Sequence, residues 1–282
     1  METLVRSWDL LVESFAVLKS DKELMWLPVI SAIFCLFATV IVCGTGFIVV
    51  TPPGVFPHDA AQQKQIAHDM TPFVFLFYVV TYSIVMYFNV ALVSIACNRL
   101  AGGHATLNDG LQVAWQRKWS IFQWALLAAT VGTILQMFER RSGFLGRMVA
   151  RFVGAAWALA SVFVVPLLAA NDMGPVEALY KSGHIFRKTW GEEVAGGFSF
   201  GLLFVLLTLP GFLLPMFGAR LGQTEMLTGL ALAVLYWVLL AIINSAARGI
   251  FIAALYRYAT EEKVSLGFRR EDLSGAWQPK ER

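Results

Sequence analysis

Residues 24–50 read LMWLPVISAIFCLFATVIVCGTGFIVV, twenty-seven positions without Asp, Glu, Lys or Arg. A helix crosses roughly 30 Å of hydrocarbon with about 20 apolar residues at about 1.5 Å each, so this stretch is long enough to span a bilayer. It is too long for the apolar core of a cleaved signal and follows a mixed-charge segment rather than a short basic one. Five further charge-free runs follow, at 71–97, 119–138, 152–171, 194–219 and 226–247. Strands of a transmembrane barrel would need about ten residues of alternating polarity, whereas these runs are longer and apolar on every side. The expected fold is all-α, a polytopic bundle of six transmembrane helices.

Composition agrees. Of 282 residues, 57% are hydrophobic and only 15% charged, with a mean hydropathy of +0.64, outside the usual range of water-soluble chains. Cys35, Cys43 and Cys97 all fall inside apolar runs, where a thiol acts as a small apolar side chain, so no disulfide framework is expected. The net charge of +3 comes from segment ends and the tail rather than from one basic face. Nucleic acid is therefore not an expected partner.

Orientation follows the excess of Lys and Arg in cytoplasmic loops. Fifteen basic residues fall on the side that holds both termini, and six on the other. Both ends are expected in the cytoplasm of a bacterial inner membrane. One stretch runs against the rule. FERRSGFLGRMVARF, residues 138–152, places Arg140, Arg141, Arg147 and Arg151 on the minority side. If the flanking runs continue as helices, Arg147 and Arg151 share a face one turn apart, and their long stems reach the headgroup layer. A planar guanidinium donates two hydrogen bonds at once to a phosphate. These four arginines are the lipid- or anion-binding candidates; a re-entrant segment here is the alternative topology.

Helical periodicity also appears outside the long runs. LVRSWDLLVESFAVL places Leu4, Val5, Trp8, Leu11, Val12, Phe15 and Leu18 on one stripe. A second segment opens at TLND, a capping box from Thr106 to Asp109, and carries Leu111, Trp115 and Trp119. A third opens with Pro175 at its first position and carries Val176, Leu179, Tyr180 and Phe186. Each leads into a pair of apolar runs, which divides residues 1–258 into units of about 1–103, 104–173 and 174–258, an interfacial helix plus a hairpin each, with a cytoplasmic tail at 259–282. This layout, with aromatic and basic residues as in AWQRKW and HIFRKTW, resembles uncharacterised bacterial six-span membrane proteins. More distantly it is similar to the YciC-type proteins and to the membrane domain attached to some glycerophosphodiester phosphodiesterases. The resemblance implies an all-helical membrane fold and no activity, because the phosphodiesterase catalytic domain has no counterpart here.

Chemistry-bearing patterns are scarce. His58-Asp59 and His68-Asp69 repeat in one loop, but on one helix the pairs point about 80° apart, so solvated residues are expected rather than a metal site. RLAGGH and EVAGGFSFG lack the Lys-Ser/Thr of a phosphate loop, and Gly197 with Gly201 reads as a close helix contact. Pro210 and Pro215 predict a kink or an early helix end. Polar residues within the runs are costly in lipid: Asn89, Gln123, Gln136, Asn244 and especially Arg248 stand out, with Asp172, Glu192 and Glu193 as expected partners of Arg248. No catalytic residue, metal or cofactor is expected. The function expected is that of a noncatalytic scaffold or accessory subunit. Its partners are membrane lipids, anionic ones among them, and a protein partner or second copy of the chain. The alternative is a channel or permease for a small solute lined by Asn89, Asn244 and Arg248.

Overall fold

The computed structural model describes residues 22–51, 59–190 and 199–261, and among them every regular element is helical. After a 3₁₀ turn at Lys22–Met25 come α1 (Trp26–Val50), α2 (Ala60–Asp69), α3 (Thr71–Leu100), α4 (Leu107–Gln116) and α5 (Lys118–Arg141). They are followed by α6 (Phe144–Ala160), α7 (Val164–Ala170), α8 (Pro175–Trp190), α9 (Ser199–Leu221) and α10 (Gln223–Glu261). Five segments are long and apolar enough to cross a membrane: Lys22–Val50, Gln62–Leu100, Lys118–Arg141, Phe144–Ala170 and Gln223–Thr260. The fifth sequence-predicted run coincides with α9, a 23-residue helix whose first residues carry no described side chains. The interfacial stripe at residues 4–18, His58, Glu192, Glu193, Gly197 and most of the tail lie outside the described residues.

Two compact units emerge. One comprises the described parts of Met1–Pro28, Leu92–Gly110 and His184–Arg282; the other comprises those of Val29–Ala91 and Leu111–Gly183. In the first, the core is the end of α3 (Leu92, Val93, Ile95, Ala96) and the last third of α10 (Ala246, Ala247, Ile250, Phe251, Ala254, Leu255), all buried. Gly249 lets them meet, since a Cβ there would come within 2.3 Å of a Leu92 methyl. In the same unit α9 and α10 form an antiparallel hairpin. A Cβ at Gly229 would come within 2.5 Å of the Leu214 carbonyl, and one at Gly218 within 2.3 Å of the Glu225 carbonyl, so backbone lies on backbone there.

Side chains of α10 also bond the backbone of α9 beside its first proline. Of the two outcomes expected at Pro210 and Pro215, a kink or an early end, the early end does not occur, because the helix passes through both. The donors lost are those for the Leu206 and Gly211 carbonyls, four residues before each proline, and α10 adds side-chain donors at the two carbonyls that follow Leu206. Here the Tyr236 hydroxyl donates to the Leu207 carbonyl and the Trp237 indole N–H to that of Thr208, at 3.1 Å.

In the second unit α1 lies against α3 through the Phe34–Phe88 ring pair, 5.9 Å between centroids, and through Gly46 beside Phe73. Elsewhere α1 is open: Leu36, Phe37, Val40, Ile41 and Ile48 are more than 60% exposed. Such a continuous apolar face suits lipid rather than water. Hydroxyls along the apolar helices donate to the carbonyl one turn back, as Thr39 does to Cys35, Ser83 to Val79 and Thr133 to Ala129. That satisfies them where no water is present.

The fourth sequence-predicted run departs from a single helix. It starts earlier, at Phe144, and divides into α6 and α7 at residues 161–163. Pro166 is the cause. It has no N–H for the Val162 carbonyl, and its ring would collide with that carbonyl in a continuous helix. The buried Phe163 N–H donates instead to the Ser182 hydroxyl on α8 at 2.9 Å, and both residues are fully buried.

At the start of α4 the expected capping box is present. The Thr106 N–H and hydroxyl both donate to Asp109 at 2.8 Å, and the Asp109 N–H donates back to the Thr106 hydroxyl at 3.3 Å. The Thr106 backbone and hydroxyl donors favour the charged carboxylate and hold Asp109 below its ordinary value of 3.8. A lowered folded value means that the cap contributes above pH 3.8 and is lost as pH falls through the folded value. Hydrogen exchange at the Thr106 amide should show extra protection over Asp109→Ala at neutral pH. That difference should begin to fade below about pH 3.8 and vanish once the pH is below the folded value; a difference that persists unchanged in acid would refute the box as the source.

Candidate functional site

The four arginines ring one turn of the second unit. Arg140 and Arg141 close α5, where cations suit the negative end of the helix dipole. The chain then turns through extended Ser142 and Gly143, and α6 begins without a side-chain cap. Arg147 and Arg151 follow one turn apart on α6, as the spacing predicts. All four arginines are exposed, and Arg151 also pairs with Glu139, Nε to Oε1 at 3.5 Å. Glu139 was the missed member. It stands inside the quoted stretch, but only the hairpin brings it opposite Arg151.

Below this turn the second unit holds a groove of about 310 Å³, at the small end of ligand-sized cavities. One wall is α5, with small Ala128, Ala129 and Gly132 followed by Thr133 and Gln136; the others are Tyr78 and Tyr82 of α3 and Trp157 of α6. Trp157 is fixed by stacking on buried Trp124, 5.6 Å between centroids and 3° between planes. Of these only Gln136 stood out in the sequence, as a polar residue within an apolar run; the small and aromatic residues are ordinary constituents of apolar helices, and periodicity could not flag them.

The intramembrane polar candidates separate. Asn244 is half-buried and Arg248 exposed, one turn apart on α10 in the first unit, whereas Asn89 is half-buried on α3 within the second. Asp172, an expected partner of Arg248, is held by Arg117 at 2.7 Å in the second unit. His68 sits 3.6 Å from Asp69 on exposed α2, and no group of three or more metal-ligating side chains occurs among the described residues. On α8 the buried side is Ala178, Ser182 and Phe186, while Val176 and Tyr180 are exposed. Trp115 is likewise exposed on α4, with the Lys118 ammonium 4.0 Å above its ring.

A family model described as a family of unknown function, DUF6159, matches residues 69–266. The chain belongs to this family. The match runs from the last residue of α2 past the end of α10, so it includes the arginine turn, the groove and the α9–α10 hairpin. Searches of curated proteins and of solved structures found no match.

Proposed function

We propose that this DUF6159 chain is a noncatalytic bacterial inner-membrane protein, a scaffold or accessory subunit that works through anionic lipids and a protein partner or second copy. One observation carries the reading. Four exposed arginines, one of them paired with Glu139, crowd a tight turn that joins two membrane-length segments, where the nearest anions are lipid phosphates. α9 is read as a sixth crossing, because it is 23 residues long and lies along α10. With six crossings and the excess of basic residues on one side, both termini are cytoplasmic and the arginine turn lies outside. The three units of interfacial helix plus hairpin belong to the same reading, supported by the positions of α4 and α8 ahead of paired helices.

Changing Arg140, Arg141, Arg147 and Arg151 together to Gln is expected to weaken anionic-lipid association in native mass spectrometry. Unchanged association would remove the proposal. The second reading is a small-solute channel or permease, favoured by Asn244 and Arg248 one turn apart on α10. Saturable flux in liposomes that is abolished in an Arg248 variant would establish that reading instead.

A further inference from the structure

The groove and the arginine turn share one side of α5. Ala129, Gly132, Thr133 and Gln136 line the groove, and the same spacing of three and four residues continues to Arg140. Helix rise puts Arg140 about 6 Å beyond Gln136 along the axis. The interfacial layer on each side of a bilayer is about 5–8 Å thick. When the Arg140 guanidinium is level with lipid phosphates, Gln136 is therefore level with the acyl esters. Gln136 is exposed, and an amide facing hydrocarbon needs a polar partner. Deeper in, Ala128, Ala129 and Gly132 leave a channel as wide as their missing side chains. Tyr82 and Trp157 give it flat walls.

We propose that this groove is a binding site for one phospholipid with an anionic headgroup. Arg140 holds the phosphate through its fork of donors, Gln136 donates to the ester region, and an acyl chain lies along Gly132. Charge complementarity selects the occupant: Glu139 offsets Arg151, so the net charge at the turn is positive and is carried by Arg140, Arg141 and Arg147. The assignment rests on the lipid-contact reading of the arginine turn and narrows it to a single site.

The test uses the full chain, purified in detergent, stripped of lipid and titrated with phosphatidylglycerol or phosphatidylcholine under native mass spectrometry. Three variants are compared: Gly132→Phe, Arg140→Gln and the fourfold Arg→Gln chain. A Cβ at Gly132 meets nothing within 4 Å, so phenylalanine enters the groove without striking backbone. An unchanged thermal melt confirms that this variant is folded, and Gly132→Ala is the control that leaves the groove open. Gly132→Phe is expected to bind phosphatidylglycerol about tenfold more weakly than the native chain, as is Arg140→Gln, the latter without loss of phosphatidylcholine. If folded Gly132→Phe binds as the native chain does while the fourfold variant loses binding, the groove proposal fails and the lipid-contact reading survives. If no variant changes binding, both fail. Equal native affinity for the two lipids overturns the anionic headgroup.

Discussion

Gly229→Leu is expected to lower the unfolding temperature of the purified protein sharply, with a loss of about 3 kcal/mol, the upper end of what overpacking costs. The atoms a new Cβ would strike are the Leu214 carbonyl and Pro215 Cα, and backbone cannot swing aside as a side chain can. Relief requires α9 and α10 to separate, which also draws the Tyr236 and Trp237 donors away from the Leu207 and Thr208 carbonyls. In lipid those carbonyls find no water to replace them. Gly44→Leu is the matched control, since nothing lies within 4 Å of a Cβ there. Its melting curve should stay with that of the native chain. A Gly229→Leu protein that melts with the control would show that the two helices are not in close contact at this register.

Ser182→Ala is expected to cost about 1–3 kcal/mol, because a buried N–H loses the hydroxyl that accepts it. The loss should depend on Pro166. In a Pro166→Ala chain, residue 166 regains an N–H for the Val162 carbonyl, and α6 can run on into α7. The Phe163 N–H then reaches the Leu159 carbonyl one turn back, and the serine becomes dispensable. A double-mutant cycle on Ser182→Ala and Pro166→Ala should therefore show coupling of about 0.5–3 kcal/mol. Additive losses would mean that the serine does not act as the cap of this break.

Much of the local order was legible. The capping box at Thr106 and Asp109, Pro175 at the head of α8 and the shared face of Arg147 and Arg151 all follow from contacts three or four residues apart, which a helix sets whatever surrounds it. The same logic marked the apolar runs as membrane-length helices, and five segments have that length and composition; the break that Pro166 makes in the fourth run was not read from the sequence. Chemistry across helices was not legible. Asp172 was assigned to Arg248 because both carry charge near the same boundary, yet it pairs with Arg117. The close contact of Gly218 and Gly229 with backbone was not anticipated, and Gly197, expected with Gly201 to make one, lies outside the described residues. Glycine occurs throughout these helices, and its spacing along one chain does not say which neighbour approaches.

What the sequence by itself determined was the solvent and the element type. Long runs of apolar side chains need a surrounding without water, and a backbone there must satisfy its own hydrogen bonds, which a helix does within a single segment. Tertiary structure decided which polar groups found partners: Ser182 for the Phe163 N–H, Tyr236 and Trp237 for the carbonyls beside Pro210, Glu139 for Arg151. It also decided where α5 and its neighbours leave a groove. Each of these depends on the side of one helix that another covers. In a chain that is apolar all round, periodicity does not mark that side, and only packing selects it.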